Sequence, residues 1–505
     1  MNINDSESQG VSLYTAEQVR ELDRLAIEEA AIPGYTLMSR AGEACWQRLQ
    51  TCWPGARSVV VVCGTGNNGG DGFVVARLAR AAGLQVRLLQ MGDAERIKGD
   101  ALTARTDFVE AGGTIAAFAA DALAGADVII DALLGTGLQQ ALEGAWHDAV
   151  VAINATGIPV LAVDIPTGLD ADSGAVPGVA VHAVETVTFI GRKRGLYTGQ
   201  GKDFTGRVSF TDLDVPASVY AQCATDCRLV EQPVPGRLAA QRPRAAHKGD
   251  FGHVLVLGGG PGMAGAARLA GEAALRSGAG LVSLATHVEH ATVIAAACPE
   301  LMVHAVATPL ELIDLIQRAT VIVAGPGLGQ SAWAQGMLST VLESKLPRVL
   351  DADALNLLAR EPVPCGNCVL TPHPGEAGRL LALTTREIEA DRFAAITALQ
   401  EHYGGSIVLK GAGTLVASGV RYVSVCANGN PGMATAGMGD VLSGVIGGLI
   451  AQGLAVAEAA VAGVCVHATA GDRAARQGER GMMAGDVIAE IRSVMNPVIK
   501  SAGTP

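Results

Sequence analysis

The chain has 505 residues, of which 49% are apolar and 17% charged, with 64 glycines. That length and composition predict two or more well-buried domains rich in tight turns and exclude a disordered chain. The net charge of −12 argues against nucleic acid as a main partner, although local backbone sites in an acidic protein still bind phosphates.

Met1–Gly10 is polar and acidic and shows no secretory pattern. The ten cysteines are scattered, and reduced thiols in a cytoplasmic protein are expected. Cys365-Gly366-Asn367-Cys368 is a lone CxxC without the second pair that zinc would need. The uncharged run Val441–Ala457 contains glycines and is short for a membrane span, so it reads as buried helix.

In chain order, an amphipathic helix is predicted over Ala16–Glu29, begun at Thr15 with Gln18 in a capping-box position. Strands are predicted at Ser58–Cys63, Gln85–Leu89, Asp127–Ile130, Val160–Val163 and Thr186–Ile190. A second series follows at His253–Leu257, Leu281–Ala285, Val321–Ala324, Arg348–Leu350, Cys368–Leu370 and Ser406–Leu409. Apolar runs bounded by glycine suit parallel strands buried on both faces. Both halves are therefore expected to be doubly wound α/β. Asp214–Gly236, with Pro216, Pro233 and Pro235, separates them and places the domains at 1–227 and 228–505.

In the first half, Gly64, Gly66 and Gly69 satisfy G-x-G-x-x-G between a strand and a helix. A dinucleotide dehydrogenase is the first reading, with Asp93 as a ribose partner. The loop argues against it, because Asn67, Asn68 and Asp71 add polar side chains where backbone alone would serve a pyrophosphate. Asp131 and Asp164 close two further strands, in Asp131-Ala132-Leu133-Leu134-Gly135-Thr136-Gly137 and Val163-Asp164-Ile165-Pro166-Thr167-Gly168. In a parallel sheet those ends converge on one crevice. Asn68, Asp131 and Thr167 together offer the oxygen ligands that hard cations prefer. Asp164 is then a candidate acid/base. Gly191-Arg192-Lys193-Arg194-Gly195 reads as a solvated basic turn.

In the second half, Gly437-Met438-Gly439-Asp440 opens an apolar helix. Helix N-termini expose unpaired N–H groups, and glycine lets a phosphate approach them. Asp440 is either a helix cap or a base that activates a hydroxyl for phosphoryl transfer. Lys410-Gly411-Ala412-Gly413-Thr414 can hold a nucleotide phosphate by point charge and amides, without P-loop spacing. His373, between two prolines, is either aimed into a cleft or structural. Asp353 supports a metal–phosphate array or caps the next helix. His287 and His290 are placed i, i+3 on a helix and read as structural.

These ordered motifs, with His247-Lys248-Gly249, Asp351-Ala352-Asp353-Ala354-Leu355-Asn356 and Thr371-Pro372-His373-Pro374-Gly375-Glu376, resemble the bifunctional NAD(P)H-hydrate repair enzymes. The resemblance runs from about Tyr14 to Ile491. It implies an N-terminal Rossmann-like epimerase domain and a C-terminal ribokinase-like dehydratase domain. The first would interconvert the R and S hydrates of NADH and NADPH. Asn67, Asn68, Gly69, Gly70, Asp71, Gly135, Thr136, Gly137, Leu138, Gln139, Gln140, Ala141 and Asp164 would contact the hydrate. Asn68, Asp131 and Thr167 would hold potassium, and Asp164 would act as acid/base. The second would dehydrate the S epimer with ADP as co-substrate, giving AMP and phosphate, with magnesium on the nucleotide. Lys410, Gly411, Ala412, Gly413, Thr414 and Gly439 would bind the nucleotide. Ala264, Gly265, Ala266, Gly327, His373 and Asp440 would line its hydrate site. The partners expected are these small molecules in a homo-oligomer, without nucleic acid or membrane. A vitamin or sugar kinase with a regulatory domain, and a nucleotide-sensing module, are the competing readings.

Overall fold

The computed structural model describes residues 10–137, 140–231, 242–419 and 422–496. The contacts divide the chain into two compact units, Ser12–Cys227 and a second made of the chain from Arg228 onward together with the residues up to Val11.

The first unit is built on a seven-stranded parallel sheet. In chain order its strands are β1 (Ser58–Cys63), β2 (Gln85–Gln90), β3 (Ile115–Ala117), β4 (Val128–Ala132), β5 (Val160–Val163), β6 (Glu185–Phe189) and β7 (Arg207–Thr211), and they lie in the order β3-β2-β1-β4-β5-β6-β7. The order reverses direction at β1, so the ends of β1 and β4 open a crevice at the topological switch point. Residues Val59–Cys63 are buried without remainder, as a strand covered by helices on both faces requires. Thr15 and Gln18 close the predicted capping box on the Ala16–Glu28 helix.

In the second unit β8 (His253–Leu257), β9 (Leu281–Thr286), β10 (Met302–Ala305), β11 (Val321–Ala324), β12 (Arg348–Leu350), β13 (Cys368–Leu370) and β14 (Ser406–Leu409) pair in parallel. An antiparallel hairpin then extends the sheet through β15 (Thr414–Ala417) and β16 (Val423–Cys426), neither of which is among the predicted strands. These nine strands lie in the order β16-β15-β14-β13-β12-β11-β8-β9-β10 within an eleven-stranded sheet, with the switch point beside β8. The Met438–Ala451 helix packs on the Ala264–Ser277 helix so tightly that a β-carbon on Gly444 would lie 2.1 Å from the Ala270 carbonyl oxygen. Small residues at this seam bring the starts of both helices over the same sheet edge.

Three local expectations are corrected. His287 and His290 lie in the turn before the Ala291–Ala297 helix, not on a helix. The Cys365 and Cys368 sulfurs are brought together by a turn that holds their Cα atoms 5.7 Å apart, against the expectation of independent thiols. Lys193 is 1% exposed rather than solvated. No helix among the described residues is long and apolar enough to cross a membrane.

Candidate active sites

In the first unit, Gly64 and Gly69 are explained by packing: a β-carbon on Gly69 would sit 2.2 Å from the Gly64 carbonyl oxygen. The fingerprint thus seats the Asn67–Ala81 helix tightly on β1 and leaves Asn67, Asn68 and Asp71 to face the crevice. That crevice is a cavity of about 480 Å³. It is lined by Asn67, Asn68, Asp71, Gly135, Thr136, Gly137 and Asp164 from the expected set, and by Asp23, Asp100 and Lys193, which the sequence reading did not include. Gly69 and Gly70 are buried in the helix behind it, while Gln140 and Ala141 are exposed and outside its lining. Leu138 and Gln139 lie outside the described residues.

A tight turn at the end of β5 aims Asp164, whose φ of 65° lies in the sparsely populated left-handed region. One of its oxygens, Oδ1, takes three donors: the Lys193 ammonium, the Thr188 hydroxyl at 3.2 Å and the Phe189 amide at 3.3 Å. Lys193 also donates to Thr188 Oγ1 and to the Phe189 carbonyl, both at 3.1 Å. These donors leave Oδ2 for a ligand. Burial, then the charges of Asp164 and Asp23, push the Asp71 carboxyl well above the carboxylate range, against the pull of Lys193. Two carboxyl groups in unlike surroundings therefore line one cavity, Asp71 with burial opposing its charge and Asp164 held by Lys193, an arrangement suited to proton transfer.

Deeper in the unit, Asp131 is fully buried. Its carboxylate accepts from the Thr167 amide and hydroxyl at 2.8 Å, and from the Leu133 amide at 3.3 Å. Burial pushes its pKa up to about 6 despite those bonds. Both side-chain polar atoms of buried Asn68 lack a hydrogen-bond partner. An orphaned amide oxygen, a buried carboxylate and a hydroxyl form a donor set that fits a hard monovalent cation.

In the second unit the cap at the Gly437-Met438 helix start is Gly437, in the left-handed region at φ 90°, and no side chain caps the helix. Asp440 is therefore not the cap. It stands in the first turn, and burial together with Asp351 raises its pKa to about 7, with Lys410 opposing. A β-carbon on Gly439 would lie 3.1 Å from Lys410 Nζ and 3.5 Å from Asp351 Oδ2, so only glycine fits beside that ion pair without a shift. Lys410 itself is not a free point charge: its ammonium sits 2.8 Å from Asp351 Oδ1 and 3.5 Å from Glu376 Oε2. Burial opposes its charge, but these two carboxylates more than offset that and hold its pKa above the usual value.

Around this center the remaining expected residues gather. His373 Nδ1 accepts from the Gly375 amide at 3.0 Å, which makes it a helix cap, while Nε2 lies on a half-exposed ring 3.5 Å from Glu376 Oε1. Asp353 neither caps its helix, where Ala352 is the cap, nor stands free. Its Oδ2 accepts from the Gly329 amide at 2.8 Å and fixes the glycine loop after β11. In that loop Gly327, at φ 57°, packs against Met263 and Ala266, where a β-carbon would meet the Met263 carbonyl oxygen at 2.7 Å. That brings Gly327 to the open first turn of Ala264, Gly265 and Ala266. Gly411, Ala412, Gly413 and Thr414 lead from Lys410 into β15, and Thr414 begins that strand.

Two buried groups escaped the sequence reading. Arg392, 1% exposed, donates to the Leu409 carbonyl at 3.2 Å and the Lys410 carbonyl at 3.3 Å, which turns those oxygens inward behind the glycine loop. His467 is buried with Nε2 unpartnered, and burial, then Lys410, lower its pKa to about 4. No periodicity marks either residue, since each works across the fold.

Two doubly wound units, each with an acidic side chain and a lysine at the carboxyl ends of parallel strands, define a fused two-site α/β enzyme. A family model described as NAD(P)H-hydrate dehydratase matches residues 254–493, and one described as YjeF-related protein N-terminus matches residues 34–195. Over 486 residues the chain is 49% identical to a bifunctional NAD(P)H-hydrate repair enzyme of Coxiella burnetii, covering 96% of this chain and 99% of that one. It is 44% identical over 489 residues to a relative of the same description from Escherichia coli, covering 97% and 95%. The chain belongs to the bifunctional NAD(P)H-hydrate repair enzymes.

Proposed function

We propose that the first unit epimerises the R and S hydrates of NADH and NADPH, and that the second dehydrates the S epimer with ADP, releasing AMP and phosphate. The observation that carries this reading is Asp440: a carboxylate poised near pH 7, uncapped, at a glycine-opened helix start beside Lys410. Hydroxide is a poor leaving group and phosphate a good one. Asp440 takes the hydroxyl proton of the hydrate, and the oxygen attacks the terminal phosphoryl group of the nucleotide. Amides of Gly411, Ala412, Gly413, Thr414 and Gly439 stabilise the spreading charge. The ring-nitrogen lone pair then expels phosphate to leave an iminium cation, and loss of a proton from the neighbouring ring carbon restores the reduced ring. Magnesium would arrive on the nucleotide and neutralise phosphate charge, since the described residues include no cluster of three acidic, histidine or cysteine ligands.

In the first unit Asp164 binds the hydrate and moves its proton, oriented by Lys193. Asn68, Asp131 and Thr167 would hold potassium, which supplies positive charge behind the cavity. The protein acts on small molecules as a cytoplasmic homo-oligomer. Incubation with hydrated NADH and ADP or ATP, following recovery of the reduced-ring absorbance, tests the reading. Recovery with release of phosphate supports it. A phosphorylated product without recovery would point to a kinase.

A further inference from the structure

A cavity of about 500 Å³ in the second unit is lined by Gln330, Asn356, Ala359, Arg360 and Arg379. Each arginine is held by a neutral amide. Asn356 Oδ1 accepts from Arg379 Nε at 2.7 Å, and Gln330 Oε1 accepts from Arg360 Nη2. An amide oxygen fixes the direction of a guanidinium without cancelling its charge, so each keeps N–H groups for an anion. In a chain of net charge −12, two guanidiniums oriented this way in one concavity select a phosphate.

Residues lining this cavity are bonded to the loop that carries Gly327. Asn356 Nδ2 donates to Asp353 Oδ1 at 3.3 Å, and Asp353 Oδ2 holds the Gly329 amide at 2.8 Å. Gln330 is the next residue of the same loop, so both arginines are tied to the segment that carries Gly327. Arg379 also lies on the Pro374–Leu381 helix that His373 caps. Burial, and with it the charges of Lys410 and Arg379, hold the His373 ring below its usual pKa against the pull of Glu376.

We infer that Arg360 and Arg379 bind a phosphate group of the hydrated dinucleotide while Gly327 and His373 face its ring end. The inference rests on the reading of the second unit as the hydrate dehydratase. Two phosphates have the required chemistry: the diphosphate bridge common to both hydrates, and the 2′-phosphate present only in the NADPH form.

The test uses R360Q, R379Q and the double variant in the full chain, assayed with the S hydrates of NADH and NADPH. Each substitution is expected to raise the KM for hydrate about tenfold, with the KM for ADP and epimerase turnover unchanged. A rise confined to the NADPH hydrate assigns the 2′-phosphate, and an equal rise assigns the diphosphate. Unchanged KM for both hydrates, or a rise for ADP alone, would overturn the site. Calorimetric titration with inorganic pyrophosphate at saturating ADP reads the cavity without turnover. Binding at least tenfold weaker in the double variant supports the site even if the dehydratase reading fails, and equal binding in both proteins refutes it.

Discussion

The two units treat the same pair of residue types in opposite ways. In the first, Lys193 is committed to Asp164, which it contacts directly together with Thr188 and Phe189. In the second, Lys410 is shared between Asp351 and Glu376, and Asp440 is left half-buried with neighbouring negative charge. A lysine in direct contact stabilises a carboxylate, whereas one already paired leaves its neighbour poised to accept a proton near neutral pH. The difference follows the chemistry proposed for each unit. Epimerisation returns every proton it moves, while activation of a hydroxyl for phosphoryl transfer needs a net acceptor.

The largest expected effects separate the two sites. Asp164→Asn should lower epimerisation roughly 10³-fold and leave dehydration of the S hydrate unchanged. Chiral separation of the hydrates over time checks this, and parallel loss of both activities would break the comparison. Lys193→Met should slow epimerisation about 10²-fold and lower thermal stability, because Asp164 is left without its partner. Lys193→Arg should recover part of the rate if charge is what matters.

A smaller effect sharpens the contrast. Dehydration should rise with pH through about 7, since Asp440 acts only when ionised and is protonated below its raised pKa. Asp351→Asn removes a charge that raises Asp440, so the midpoint should fall by about one pH unit. A pH–rate profile of phosphate release reads both, and an unmoved midpoint would show that Asp351 does not set the poise of the base.

Much of this was legible in the sequence because the chemistry sits in contiguous glycine motifs at strand ends. β1, β5, β8, β11, β12, β13 and β14 coincide with the apolar runs from which they were predicted. What escaped depends on tertiary placement. β3 is three residues long and largely exposed, so no apolar run announces it. β15 follows a glycine loop that reads as a ligand loop, and its antiparallel pairing cannot be told from a short apolar run. Lys193 lies between two arginines and looks like a surface turn until β6 and the Asp164 turn close around it. Gly437, whose left-handed conformation takes the cap position three residues before Asp440, rules out the aspartate as the cap of that helix.

The central claim is that Asp440 converts a hydroxyl into a phosphate ester before it leaves. Wild-type chain and Asp440→Asn should be given the S hydrate of NADH with ADP and magnesium, and AMP, phosphate and NADH counted together. Equal yields of all three from wild type, and none from a variant that still epimerises, are the predicted result. NADH regenerated by the variant at the wild-type rate, or by wild type without matching phosphate, would contradict it.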